Sequence, residues 1–222
     1  MTETTYNGNP FKRYISGNQV TFGHNGNVRD DGSVDHKFEK SNKFGKLGEA
    51  IVMSYLSSGM IPAIESVRDV SKNSSYRAID VDAIVRLRNK KGAVGDWLCE
   101  IKADTYKDNI FYETVSDIQK GTLGCMLVTK CNFLCYYYIN LDMMYVISMR
   151  KYREWVDSVK HKPWVKTKTV HNVDDDGHEY WSEGYAIPRY RLEQALEKGK
   201  YLHRIERVRQ SIGFSVEDFL KE

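Results

Sequence analysis

The chain has 222 residues, enough for one large domain or one domain with extensions. Hydrophobic residues make up 41% and aromatics 12%, which supplies a core and excludes a chain disordered throughout. A net charge of only +3 excludes a polycation, so any nucleic-acid surface must come from local clustering of lysine and arginine.

No apolar run approaches the length of a membrane span, and Met1-Thr2-Glu3-Thr4-Thr5 lacks the layout of a signal peptide. An intracellular, cytoplasmic chain with no membrane partner is expected. The cysteines Cys99, Cys125, Cys131 and Cys135 include no C-x-x-C pair, and His171 and His178 lie far along the chain. Buried reduced thiols are therefore expected rather than a zinc site.

In chain order, residues 1–40 are rich in Gly, Asn and charge and read as an extended N-terminal arm, with Lys12, Arg13 and Arg29 as cations. A helix is predicted from Ser41-Asn42, either of which can cap it, to about Ser58, with Gly59 as its stop. Phe44, Leu47, Ile51 and Tyr55 form its core stripe. Glu49 shares its side with Val52, Met53 and Leu56, so this carboxylate is expected to face inward.

Ile64 to Val70 reads as a strand and Ser71-Lys72-Asn73-Ser74-Ser75 as a polar loop. A hairpin follows, with strands near 79–88 and 96–103 and its turn on Lys91-Gly92. That turn sets Asp82 almost opposite Ile101. Strand alternation puts Glu100 and Lys102 on one face. Strands are predicted at 110–115, 125–129, 134–139 and 143–147, and a helix capped by Ser148 through about Lys160. Trp164–Val173 and His178–Ile187 flank Asp174-Asp175-Asp176-Gly177, a hairpin signal. A long basic helix is expected from Arg189 towards Gln210, and a short one after Ser215. The whole reads as an α/β (α+β) chain. A core over 41–160, with a central mixed sheet flanked by helices, is followed by a hairpin and basic helical extension over 161–222.

Two carboxylates and a lysine at one spot are costly to bury. Asp82 and Glu100 with Lys102 alongside point to a divalent-metal site with a lysine beside the attacking water. Mg²⁺ suits one or two carboxylates, and the Ile101 carbonyl would add a third oxygen. Asp80 competes with Asp82 for the ligand role, two residues outward on the same strand face. Glu113 would add a carboxylate if its strand neighbours the Glu-x-Lys strand. The plain alternative is a cross-strand salt bridge between Asp82 and Lys102, which leaves Glu49 on an apolar face unexplained.

The order Glu49 on a first helix, Asp82 on a strand, then Glu100-Ile101-Lys102 on the next strand resembles the PD-(D/E)XK nuclease superfamily over about residues 43–147. The proline that gives the motif its first letter is absent, since Val81 precedes Asp82. The resemblance implies a restriction-endonuclease-like core, a mixed sheet with a helix on either side. It implies Asp82 and Glu100 as metal ligands, Lys102 as the catalytic lysine and Glu49 as an outer ligand or a ligand of a second metal. Gln119 or Lys120 would be the polar residue on a following helix. The activity implied is Mg²⁺-dependent endonucleolytic hydrolysis of DNA, duplex or branched, structure-specific or of nicking or restriction type, by one- or two-metal water attack leaving a 5′-phosphate. Mn²⁺ is able to substitute, no small-molecule cofactor takes part, and a homodimer is an allowed assembly. If the chain is phage-encoded, its site of action is the host cytoplasm. A non-catalytic DNA-binding or nuclease-inhibiting protein and a ribonuclease are the alternatives.

From Arg189 to Arg209 seven Arg or Lys stand against three Glu, a net +4. In that run Arg189, Arg191, Lys200, Arg204 and Arg207 are candidates for DNA phosphates. Lys162, Lys166 and Lys168, interleaved with Trp164, form a second basic cluster.

Overall fold

The structure is a computed structural model and describes residues 2–4, 13–16, 19–22, 38–173 and 177–219. Over the expected N-terminal arm, β1 (Thr2–Thr4), β2 (Arg13–Ser16) and β3 (Gln19–Phe22) pair with one another as an antiparallel sheet. Lys12 and Arg29 lie outside the described residues.

Helix α1 (Phe38–Ser57) begins ahead of the predicted caps, which fall inside it. It ends where predicted, with Gly59 at φ +79°. Phe44, Leu47, Ile51 and Tyr55 are buried, and so are Val52 and Leu56 beside Glu49. A Cβ on Gly48 would overlap the Ala103 side chain, so this glycine lets the helix lie directly on the sheet.

That sheet has six strands in the order β13-β10-β9-β6-β5-β4. They are β4 (Ile64–Asp69), β5 (Ala83–Arg88), β6 (Val94–Asp104), β9 (Phe133–Tyr138), β10 (Met143–Ser148) and β13 (Leu202–Glu206). The β6–β9 pair is parallel and every other pair antiparallel, which makes the sheet mixed. In the β5–β6 turn Asn89 Oδ1 accepts from Lys91 N at 2.8 Å and Ala93 N at 3.0 Å, and Gly92 takes φ +84°. Ala83 pairs with Cys99, so the register differs by one residue from the expected one, and Asp82 falls opposite Glu100 rather than Ile101. Since a one-residue slip exchanges faces, this register sets Asp82 on the face of Glu100.

Short helices replace two predicted elements. The polar loop contains α2 (Ser74–Arg77), capped by Asn73, which accepts from Ser75 N at 3.0 Å. The apolar run predicted as a strand at 125–129 is instead α3 (Cys125–Val128). Tertiary contacts outweigh its β propensity. The Glu113 carboxylate accepts from Cys125 N at 3.1 Å, and Arg153 donates to the Met126 and Thr129 carbonyls, each at 2.7 Å.

A second sheet has the order β11-β12-β7-β8, from β7 (Asn109–Asp117), β8 (Thr122–Leu123), β11 (Lys166–Val173) and β12 (Glu179–Pro188). The predicted hairpin is present as the β11–β12 pair, although Asp174, Asp175 and Asp176 lie outside the described residues. Helix α4 (Met149–Val159) buries Met149, Tyr152 and Val156. One core lies under α1, around Leu47, Ile51, Ile101 and Tyr137. The other joins the opposite sheet face to α4 and the second sheet, around Tyr138, Tyr145, Tyr152, Ile110 and Ile187.

The long basic helix does not form. Helix α5 (Arg189–Leu196) stops, and Lys200 at φ +57° turns the chain. The Tyr201 ring folds over Gly199, where a Cβ would lie 2.5 Å from it. The chain returns as β13 on the open edge of β10, then as α6 (Val208–Ser211) and α7 (Val216–Phe219). Asp142 caps α6, accepting from Arg209 N at 2.7 Å and Gln210 N at 3.1 Å. The described part of residues 161–219 joins both sheets, since β12 pairs with β7 and β13 with β10. Among the described residues no helix is long and apolar enough to cross a membrane.

Candidate active site

Asp82 stands just before β5, where that strand's pairing with β6 ends. Its Oδ2 accepts from Ile101 N at 2.8 Å. The Ile101 N–H therefore points past the end of β5, and its carbonyl, on the same side of the strand, opens on that notch. Glu100, 3% exposed, lies opposite Asp82. Its Oε1 meets Lys102 Nζ at 2.7 Å, while its Oε2 is buried with no hydrogen-bond partner. Asp82 and Glu100 each bear on the other's carboxyl electrostatically.

The electrostatics follow from that crowding. Burial pushes the Glu100 carboxyl up to about 7, with Lys102 opposing and Asp82 reinforcing the rise. Burial also raises Asp82, against the Ile101 N–H and Lys102. Glu49 is half-buried and raised by burial and then by Asp82, which locates it beside the pair. For Lys102 burial acts downward, but Cys125, Glu100 and Asp82 outweigh it and hold the ammonium well above the usual lysine range. Burial pushes the Cys125 thiol up too, so near neutrality it is uncharged and the carboxylates keep Lys102 protonated. Lys102 is 39% open to solvent.

The donor set fits a small hard cation. It offers an orphaned buried carboxylate oxygen, a second carboxylate and a strand carbonyl, all oxygens. Among the described residues no three His, Cys, Asp or Glu side chains stand close enough to hold one ion together. Glu49 bears on Asp82 and Lys102 electrostatically from α1. The four cysteines are free and buried, as expected.

Other expected residues fall elsewhere. Asp80 is not on the strand but in a turn at φ +47°, its carbonyl accepting from Thr129 Oγ1 at 2.5 Å. It still bears on Asp82 and Glu100 electrostatically. Strand β7 does not pair with β6, so Glu113 arrives by another route, on the N-terminus of α3 next to Cys125. Gln119 and Lys120 sit in the turn before Gly121 rather than on a helix. Gln119 Oε1 accepts from Trp181 N at 3.1 Å, and Lys120 pairs with Asp117 at 3.0 Å.

The basic candidates divide. Arg189 is consumed by structure: it donates to the Lys107 carbonyl at 2.9 Å, to Tyr145 Oη at 3.0 Å and to Glu193 at 3.1 Å. Arg204 is paired with Glu206 and with Glu193. Arg191 lies against the Trp164 ring at 5.5 Å and the Tyr190 ring at 5.0 Å. Lys200 and Arg207 are exposed in left-handed turn positions. Lys162, Lys166 and Lys168 are exposed.

Sequence reasoning missed Cys125 as a neighbour of Lys102, because an apolar run carries no signal of such a role. It also missed the pair that continues the row beyond Lys102, where Tyr136 Oη donates to Asp104 Oδ2 at 2.9 Å. Alternation along β6 was the available signal there. Comparison with family models, curated proteins and solved structures returned no match for this chain.

Proposed function

We propose that this chain is a Mg²⁺-dependent nuclease that hydrolyses phosphodiester bonds in DNA. The observation that carries the reading is Glu100 Oε2, buried without a donor, in a notch shared with Asp82 and flanked by the Lys102 ammonium. Such an oxygen is costly unless a cation completes it. When bound, Mg²⁺ would relieve charge on the phosphate and lower the pKa of its water. Asp82, Glu100 and the Ile101 carbonyl would hold it, and Mn²⁺, another hard ion, would serve in its place.

The protein groups have distinct tasks. Asp82 is oriented by the Ile101 N–H, which commits its Oδ2. Lys102, kept protonated, orients the attacking water and stabilises negative charge gathering on the phosphate oxygens. Glu49 adds negative charge beside Asp82 and favours cations at the notch. The mixed sheet, with α1 on one face and α4 towards the other, agrees with the restriction-endonuclease-like core that the PD-(D/E)XK resemblance implies. Four free buried thiols suit a reducing, cytoplasmic setting.

Purified protein incubated with supercoiled plasmid, branched DNA and RNA, with Mg²⁺, Mn²⁺ or EDTA, tests this reading. Cleavage of DNA that needs the metal and is lost in Lys102→Ala and Glu100→Ala is expected. Preferential cutting of RNA would make the chain a ribonuclease, and binding without cutting would make it a non-catalytic DNA-binding protein. Wild-type rates in either variant would refute the site.

A further inference from the structure

The face of the second sheet turned away from the core carries two registered rows that lead to the site. Across β11, β12 and β7, Lys166 pairs with Ala186 and Ala186 with Phe111; Lys168 pairs with Gly184 and Gly184 with Glu113. Cross-strand partners share a face. The alternate residues Ile110, Tyr112 and Ile187 are buried in the core, so these rows lie on the other side.

Lys166 and Lys168 are exposed, about 7 Å apart along one strand, and neither has an ion-pair partner among the described residues. The half-buried Phe111 ring reaches over Gly184, where a Cβ would come within 2.7 Å of its Cζ. The second row ends at Glu113, which takes the Cys125 N–H at 3.1 Å, and Cys125 neighbours Lys102.

We propose that this face is a platform for a single-stranded stretch of DNA, with Lys166 and Lys168 on its phosphates and the Phe111 ring under one base. The inference rests on the nuclease reading and gives it a substrate class, DNA with an unpaired arm beside the scissile bond. Two features select a single strand. A ring lying on a sheet surface can stack only an unpaired base, and cations spaced along one strand follow one backbone. Arg189 and Arg204 are already engaged by protein groups, and of the remaining basic candidates Lys166 and Lys168 are the two in register with Phe111 and Glu113 on this sheet face.

Fluorescence anisotropy in EDTA, where nothing is cut, tests the platform with a labelled single-stranded DNA, its duplex and the equivalent RNA. Single-stranded DNA should bind tightest. The double variant Lys166→Ala, Lys168→Ala should lower the slope of log affinity against log salt by about 1.4, about 0.7 for each phosphate lost. Phe111→Leu, which keeps an apolar side chain on Gly184, should weaken binding by about fivefold or more. Unchanged slope and affinity in both variants, or tighter binding of duplex or RNA, overturns the platform. The nuclease reading is judged separately, by whether Lys102→Ala still cuts in Mg²⁺.

Discussion

Replacing Glu100 by glutamine measures what it costs to hold its charge in the notch. Burial raises this carboxyl from the ordinary 4.5 to about 7. A rise of that size corresponds to about 3 kcal/mol. Between those two values the folded chain holds a proton that the unfolded chain has released. The stabilising contribution is therefore complete below about pH 4.5 and is lost as pH climbs through about 7. Glutamine removes this titration, while Glu49 and Asp82 remain in both proteins. Urea unfolding in EDTA at about pH 5 and about pH 8 gives the stability of each protein. Stability of the variant minus that of wild type should shift in the variant's favour by about 2.5 kcal/mol between the two pH values. Comparing two pH values removes packing differences that do not depend on pH. A shift below about 1 kcal/mol would refute a buried, strained carboxylate. Adding Mg²⁺ near pH 8 should stabilise wild type and not the variant, because a bound cation requires the ionised form.

Asp82→Asn keeps an acceptor for the Ile101 N–H, so its melting temperature should stay within a few degrees of wild type while plasmid cleavage falls by about a hundredfold or more. Gly48→Ala should cost about 1–3 kcal/mol in urea unfolding, because its methyl group has to displace Ala103 on β6. Arg204→Ala should leave DNA affinity within about twofold and its salt slope unchanged, since Glu206 and Glu193 already engage the guanidinium; a slope reduced by about 1 would restore it as a phosphate contact.

The site was legible in the sequence because its parts are local. Glu100 and Lys102 share a face through alternation alone, and one hairpin brings Asp82 to them. Glu49 was found by the 3.6-residue period that also buries Val52 and Leu56. The register came out one residue away from the expected one. The turn is held by Asn89 and Gly92, and only that pairing sets Asp82 on the face of Glu100.

What was not legible depends on partners distant in the chain. The run Cys125-Met126-Leu127-Val128 suits a strand as well as a helix, and the choice is made by Glu113 at one end and Arg153 at the other. Leu192 and Leu196 do occupy one helical stripe, but Leu202 and Ile205 belong to β13, because the free edge of β10 takes that segment once the chain has turned at Lys200. The same reasoning separates the candidate site from the basic clusters. A carboxylate–lysine cluster built from residues two apart on one strand is written in the local pattern. Which cations stand unpaired is decided by the fold. Arg189 and Arg204 looked as suitable in sequence as Lys166 and Lys168, and their acceptors are brought to them by the fold, Tyr145 from β10 and Glu193 from α5. Charge counted along a sequence therefore overstates the cations free to meet a nucleic acid, and the excess is the number that the core has already used.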